Sequence, residues 1–343
     1  MKRPHHILVL RLSALGDVAM TVPVLTVLAA TYPKLKLTVV SRAFYKPLFE
    51  GIPSITFLEA DVYGRHKGVG LFKLASEAKS LGIDAVADLH SVIRSKLVVG
   101  FLRLSGVKAF EIDKGRSEKK NLTKVKGRDF KPLKSTHQRY ADVFEKLGFP
   151  IDLNTYQIPK KRSLSSNLSA LIGSEPKKLI GIAPFAAFKS KMYPLDMMTE
   201  VISELDAIAK YKVFLFGGGK EETKLLQDIA AQFNDVTSVA GMFSFEDELV
   251  LISNLDMMLS MDSGNGHLAA LFNIPTITLW GVTHPYAGFA PFMQPEKNQL
   301  LASKKEYPLV PTSIYGNAFP HGYESAIASI PPELIVESIL KTI

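Results

Sequence analysis

The chain contains no cysteine. That excludes disulfides and thiolate metal sites, and it fits a reducing compartment. No stretch approaches the roughly 18 apolar residues of a membrane span. The basic start, MKRPHH, leads into only four apolar residues, Ile7-Leu8-Val9-Leu10, before Arg11 interrupts them. Such a run is too short for the core of a signal peptide. A cytoplasmic protein is the expectation. The eight histidines show no HxxxH or HExxH spacing, and no Asp-x-Asp closes a strand-like run, so no metal site is expected. A dinucleotide fingerprint is also missing. The first apolar run is followed by Leu12-Ser13-Ala14-Leu15-Gly16-Asp17 in place of G-x-G-x-x-G, which argues against a dinucleotide-dependent oxidoreductase.

What is present is alternation. A length of 343 residues favours two domains, and 47% hydrophobic with 22% charged residues fits a globular protein. Strand-like runs at 5–11, 35–41, 54–59, 84–89 and 108–112 are separated by helical patterns at about 17–31, 69–81 and 92–104. Another helical face, with Tyr140, Val143, Phe144 and Leu147, closes at Gly148. The polar stretch 160–178 reads as a linker. A second series then follows, with strands at 179–185, 212–218, 237–241, 256–261 and 276–281, and helices at about 195–210, 221–233, 245–253 and 265–273. Two successive βαβ series predict two doubly wound parallel sheets, hence an α/β protein. Residues 282–330 are irregular and aromatic-rich and fall into no element, while 331–343 reads as a short helix opened by proline.

Charge is concentrated. Ten Lys and Arg against two acids between Lys114 and Arg139 account for the whole net excess of +8. A local basic surface suits an anionic partner, although a solvated loop reads the same way. Phe130 is the single aromatic residue there, so the stacking platform of a single-strand nucleic-acid binder is missing and no nucleic acid is expected.

Ligands of open α/β sheets bind beyond the carboxyl ends of the strands. Beyond the run at 256–261 stands DSGNGHLAALFNIP. Gly264 and Gly266 allow close backbone approach, a helix start offers free N–H groups, and His267 adds a donor. A pyrophosphate cradle and a plain capped turn are both compatible with these residues. Lys189 and Lys191 follow another strand end and can neutralise phosphate. Beyond a third, FGGGKEE offers glycines and Glu221, which can hold ribose hydroxyls or simply favour a helix N-terminus. In the first series a carboxylate, Asp17, occupies the first strand-to-helix turn. It reads as a general base or as a helix cap. Pro23 breaks a regular helix shortly beyond it, so a short turn and then a helix starting near Pro23 is a possible arrangement.

Read together and in order, LRLSALGDVAMTVPVL, DLHSVIRS, HQRYADVFEKLG, KMYP, GGGKEE and MDSGNGHLAALFNIPTITLWGVTHP resemble glycosyltransferase family 9. Its best-known members are the ADP-heptose:lipopolysaccharide heptosyltransferases. The resemblance implies a GT-B fold, two Rossmann-like domains facing across a cleft, with boundaries near 1–160 and 175–328. The final helix, 329–343, would pack back on the first domain. It implies inverting, metal-independent transfer of a sugar, a heptose in the best-known members, from a nucleotide-diphosphate donor such as ADP-heptose, with no cofactor. The acceptor would be the anionic inner core of lipopolysaccharide, met at the inner face of the cytoplasmic membrane. Asp17 aligns with the proposed base. Lys191, Glu221, Asp262, Ser263, Gly264, Gly266 and His267 fall on the donor side. Arg94 and, in the basic segment, Lys119, Lys120, Lys124 and Arg128 are candidate acceptor contacts.

Two departures stand out. Ala186 and Ala187 occupy places where the family often carries phosphate-binding hydroxyls, a loss that Lys189 or Ser190 would have to make good. Asn265-Gly266 replaces a more usual apolar-small pair. The rival readings are another GT-B enzyme, such as a nucleotide-sugar 2-epimerase, and a non-catalytic anion-binding protein of the same fold.

Overall fold

The structure, a computed structural model, describes residues 3–343. It divides into two compact units. The first runs to Lys114 and resumes over Lys134–Gln157, and the second comprises Gly115–Leu133 and Ile158–Ile343.

The first part of the chain forms β1 (His6–Leu10), α1 (Leu15–Ala19), α2 (Thr21–Thr31), β2 (Lys36–Ser41), β3 (Ile55–Glu59), α3 (Gly70–Ser80), β4 (Ala85–Asp88), α4 (Ile93–Leu104) and β5 (Lys108–Glu111). Helix α5 (Arg116–Leu122) falls in the second unit, and α6 (Thr136–Lys146) returns to the first. The strands are all parallel, in the order β3-β2-β1-β4-β5. Residues Ile7 to Leu10 are wholly buried because a central parallel strand is covered on both faces, which is why β1 reads as an unbroken apolar run. The helical pattern at 17–31 is two helices joined at Met20. Pro23 has no N–H to continue a single helix through this point, and the Thr21 hydroxyl donates to the Val18 carbonyl at 2.7 Å. Ser135 caps α6 by accepting the Gln138 N–H at 3.1 Å, and Tyr140, Val143 and Phe144 form its buried face.

The second unit continues with α7 (Ser166–Ile172), β6 (Lys178–Ala183), α8 (Leu195–Ala207), β7 (Tyr211–Leu215), α9 (Lys220–Ala230), β8 (Val236–Ser238), α10 (Phe245–Asn254), β9 (Met257–Met261), α11 (Gly264–Leu271), β10 (Thr276–Trp280), β11 (Gln299–Leu301) and α12 (Pro332–Leu340). Its six parallel strands run β11-β10-β9-β6-β7-β8. Strand β11 lies in the irregular stretch left unassigned from sequence, and α7 lies inside the stretch expected to be a linker. Both are short, seven residues or fewer, so periodicity had little to act on.

Two expectations about boundaries differ from the structure. The segment Gly115–Leu133 groups with the second unit although it lies within the span assigned to the first domain. Its anchors are specific. The Arg128 guanidinium donates to the carbonyls of Leu309 and Val310, and Leu133 N–H donates to the Tyr286 carbonyl at 2.9 Å. Phe130 packs against His284 and Tyr286, with ring centroids 5.1 and 5.2 Å apart. The closing helix α12, expected on the first domain, packs on α8 of its own unit. Ile335, Val336 and Ile339 join the same apolar cluster as Met198, Val201 and Leu205.

Candidate active site

In both sheets the strand order reverses beside the first strand of the series, between β1 and β4 and between β6 and β9. Segments leaving these two strands diverge to opposite faces and open a crevice. Arg11 and Asp17 lie at this point of the first sheet, and Lys191 and Asp262 at that of the second.

In the first unit, Arg11 directly follows β1. Its guanidinium donates to the Leu89 carbonyl beyond β4 at 2.8 Å and pairs with Asp17 Oδ2 at 2.5 Å. Asp17 sits in the first turn of α1, yet the N-cap residue is Ala14 and no side chain caps that helix. The capping alternative for Asp17 is therefore not what the structure shows. Its side chain is 31% exposed, and Oδ1 has no partner among the described residues. The Tyr140 hydroxyl donates to the Asp17 carbonyl at 3.3 Å and ties this turn to α6.

Further cations follow the strands of the same sheet. Arg42 follows β2, Arg94 lies in the first turn of α4, and Lys114 lies just beyond β5 with its ammonium 3.1 Å from the Ser91 carbonyl. Arg42 and Arg94 both stack on the exposed ring of Tyr63, at 5.3 and 5.4 Å. His90 accepts the Leu12 N–H on Nδ1 at 3.4 Å. Burial, reinforced by the charges of Arg11, Lys114 and Arg94, pushes its pKa down to about 3, so it is neutral near pH 7. The loop that carries it is fixed by Asp88, which accepts the N–H groups of His90 and Ser91 and the Ser95 hydroxyl. Sequence reasoning missed Arg11, Arg42, His90 and Lys114 as site residues. Their signal was position, since each follows a strand closely.

In the second unit, Lys191 beyond β6 meets Asp262 beyond β9, Nζ to Oδ2 at 2.9 Å, with side chains only 13% and 8% exposed. The Thr283 hydroxyl, beyond β10, donates to the same oxygen at 2.9 Å. The lysine stem is held from above by Gly316, whose backbone is left-handed at φ +86°. A Cβ there would lie 2.6 Å from Lys191 Cδ, so only glycine fits. Ser263 precedes α11 in extended conformation, and its hydroxyl is buried without a partner among the described residues. His267 is buried in the first turns of the same helix. An orphaned hydroxyl at a helix N-terminus is a donor that a phosphate oxygen satisfies.

Other candidates fall differently. Gly266 does not open the loop to a ligand. A Cβ there would stand 2.5 Å from Ser260 Oγ, so this glycine lets α11 lie close against β9. Ser190 does not replace the missing phosphate hydroxyls, because it is buried and donates to the Gly316 carbonyl at 2.5 Å. Lys189 is exposed. At FGGGKEE the two acids divide their roles. Glu222 accepts the Gly218 N–H at 2.8 Å and closes the turn, while Glu221 is exposed and unpaired among the described residues. Of the basic segment, Lys119 is buried with its ammonium 4.0 Å from the Phe289 ring centre, and Arg128 is spent on backbone carbonyls. Lys120 and Lys124 face solvent. Among the described residues no three His, Cys, Asp or Glu side chains group as a metal site.

A family model, glycosyltransferase family 9 (heptosyltransferase), matches residues 72–313. The chain belongs to that family. This glycosyltransferase is 28% identical over 304 residues to Lipopolysaccharide heptosyltransferase 1 of Campylobacter coli, a match covering 82% of this chain and 85% of that protein. Among solved structures, a glycosyl transferase family 9 protein from Veillonella parvula superposes with a TM-score of 0.76 at 20% identity, over 100% of this chain and 98% of that one. E. coli heptosyltransferase WaaC with ADP gives 0.64 at 18% identity, over 98% and 100%. The family 9 glycosyltransferase fold is GT-B, two α/β units each with a parallel sheet.

Proposed function

We propose that this chain transfers a heptose from ADP-heptose to the anionic inner core of a lipopolysaccharide, with inversion and without a metal ion. The relatives named as lipopolysaccharide heptosyltransferases support the substrate class, and the E. coli structure named with ADP supports the nucleotide. The observation that carries the mechanism is the unpaired oxygen of Asp17. Arg11 holds one carboxylate oxygen and orients the group, leaving Oδ1 to take the proton of an acceptor hydroxyl as it attacks the anomeric carbon. Attack by an external hydroxyl in one displacement inverts that carbon.

The second unit holds the donor. The α11 N-terminus, the Ser263 hydroxyl, His267 and Lys191 meet the diphosphate as negative charge develops on it. Glu221, exposed beyond β7, takes the ribose hydroxyls. Lys191 already neutralises Asp262, so the carboxylate does not repel the departing phosphate. Arg42, Arg94 and Lys114 around Asp17 receive the acceptor's acidic groups, with Lys120 and Lys124 as the exposed remainder of the basic segment. We place the enzyme in the cytoplasm, working at the inner membrane face. Among the described residues no helix is long and apolar enough to cross a membrane.

Thermal shift with ADP, UDP, GDP and CDP tests the donor, since a ligand at a hundred times its Kd adds about 2.7 kcal/mol to stability. ADP and ADP-heptose should raise Tm and the others should not. Transfer to a heptose-free core acceptor should then persist in EDTA. An equal response to UDP, or a loss of turnover in chelator, overturns the corresponding part.

A further inference from the structure

Helix α4 carries two apolar stripes. Val98, Val99 and Leu102, with Ser95, are buried, and the helix packs there on β4 and β5. The second stripe is Ile93, Leu97, Phe101 and Leu104, spaced so that all four lie along the outward side. Ile93 is 80% exposed, Leu97 48% and Leu104 91%. The half-buried Phe101 ring meets Phe72 of α3 at 5.8 Å, and Phe72 and Val69 extend the exposed row. A helix on a soluble surface places polar residues on this side. Single exposed apolar residues need no explanation, but a contiguous row does.

The charges beside the row are predominantly positive. Helix α4 contains Arg94, Lys96 and Arg103 and no acid, and α3 adds Lys73 and Lys79 against Glu77. Glu77 lies 3.3 Å from the His66 ring nitrogen. Lys96 also reaches Glu111 at 3.5 Å, and Arg103 donates to the Ala109 carbonyl, so both lie along the flank of the helix. Aliphatic side chains on one convex helix, flanked by long cations, match the headgroup boundary of an anionic bilayer.

We propose that the α3–α4 face of the first unit docks on an anionic lipid bilayer, with Ile93, Leu97 and Leu104 entering the acyl boundary. The inference deepens the transferase reading and rests on it for its purpose. A lipid-anchored acceptor would be met at the membrane, and the stripe begins at the end of α4 that carries Arg94, nearest Asp17.

The test needs no sugar. Full-length protein is sedimented with vesicles of phosphatidylcholine alone or of phosphatidylcholine and phosphatidylglycerol in equal parts. Binding to the anionic vesicles only, weakening as salt rises, is expected. The variant Ile93→Gln/Leu97→Gln/Leu104→Gln keeps helix-compatible side chains at exposed positions. It should bind about a hundredfold more weakly while keeping its ADP thermal shift. Indifference of the wild type to phosphatidylglycerol, or equal binding by the variant, overturns the proposal. So does light scattering that shows a wild-type dimer which the variant dissolves, because the stripe would then belong to a second copy. Vesicle binding without any ADP response would leave the docking intact and remove the transferase reading.

Discussion

The two units share a strand order, and each pairs a cation that follows its first strand with a carboxylate near the point where that order reverses, yet they treat the pair differently. In the first, Arg11 pairs with Asp17, whose side chain keeps 31% of its surface and one free oxygen. In the second, Lys191 pairs with Asp262, which is 8% exposed and also accepts from Thr283. Exposure separates the roles. A carboxylate with a free oxygen can accept a proton from substrate, whereas one enclosed with its counter-ion and a hydroxyl fixes the lysine in place. In the proposed mechanism the same supersecondary frame supplies a base in one unit and an anion seat in the other.

The largest effect should come from removing the carboxylate proposed as the base. Asp17→Asn should lower kcat by about 100- to 10,000-fold while donor affinity, read by the ADP thermal shift, stays as in wild type. Near-normal turnover would erase the functional half of the comparison. Next comes the contrast between the cations. Lys191→Met strands a buried carboxylate and should cost about 3–5 kcal/mol in urea unfolding, together with most of the ADP response. Arg11→Met leaves Asp17 partly in water and should cost only about 1–2 kcal/mol. Equal losses would mean that the two pairs are equivalent after all.

Acid should separate the units further. His90 in the first unit has its folded pKa lowered to about 3, so the unfolded chain binds its proton first. Stability is lost as pH falls from about 6.5 toward 3, by on the order of 5 kcal/mol in all. The second unit opposes itself. His284, lowered to about 4 by burial, loses stability in the same window. Glu248, raised to about 7 by burial, has the opposite sign, and its contribution falls as pH rises from about 4.5 through 7. Urea unfolding across pH 4 to 7 should therefore show a shallower slope in His90→Gln and a steeper acid loss in Glu248→Gln. An unchanged slope in both variants would contradict the assignment.

The smallest contrast is between two glycines of the second unit. Gly266→Ala places a methyl 2.5 Å from Ser260 Oγ and should cost about 1–3 kcal/mol. Gly218→Ala meets nothing within 4 Å and should be close to neutral. A neutral Gly266→Ala would return that glycine to the ligand loop.

Much of this arrangement was legible before any coordinates. Parallel strands buried on both faces read as unbroken apolar runs, so β1, β6, β9 and β10 stand out, and residues past two such runs, Lys191 and Asp262, are brought together in the structure. Short elements did not stand out. Helices α5 and α7 and strand β11 offer too few residues for a period to emerge, and the anchoring of Arg128 on the Leu309 and Val310 carbonyls depends on partners far along the chain. For the same reason a basic run that read as one anion surface splits into a buried Lys119, a committed Arg128 and an exposed Lys120 and Lys124.

By itself, then, the sequence determined the longer elements, their parallel pairing and the family, because hydrophobic period and strand-end chemistry are local properties. Only the tertiary structure decided which charges meet. Lys191 finds Asp262 because β6 and β9 are neighbours in the sheet, and no spacing along the chain encodes that distance. It also decided that Asp17 turns to Arg11 and leaves its own helix uncapped, since burial of α1 and the reach of a guanidinium are set by packing. The outer stripe of α4 became visible the same way, as the apolar face that folding leaves uncovered.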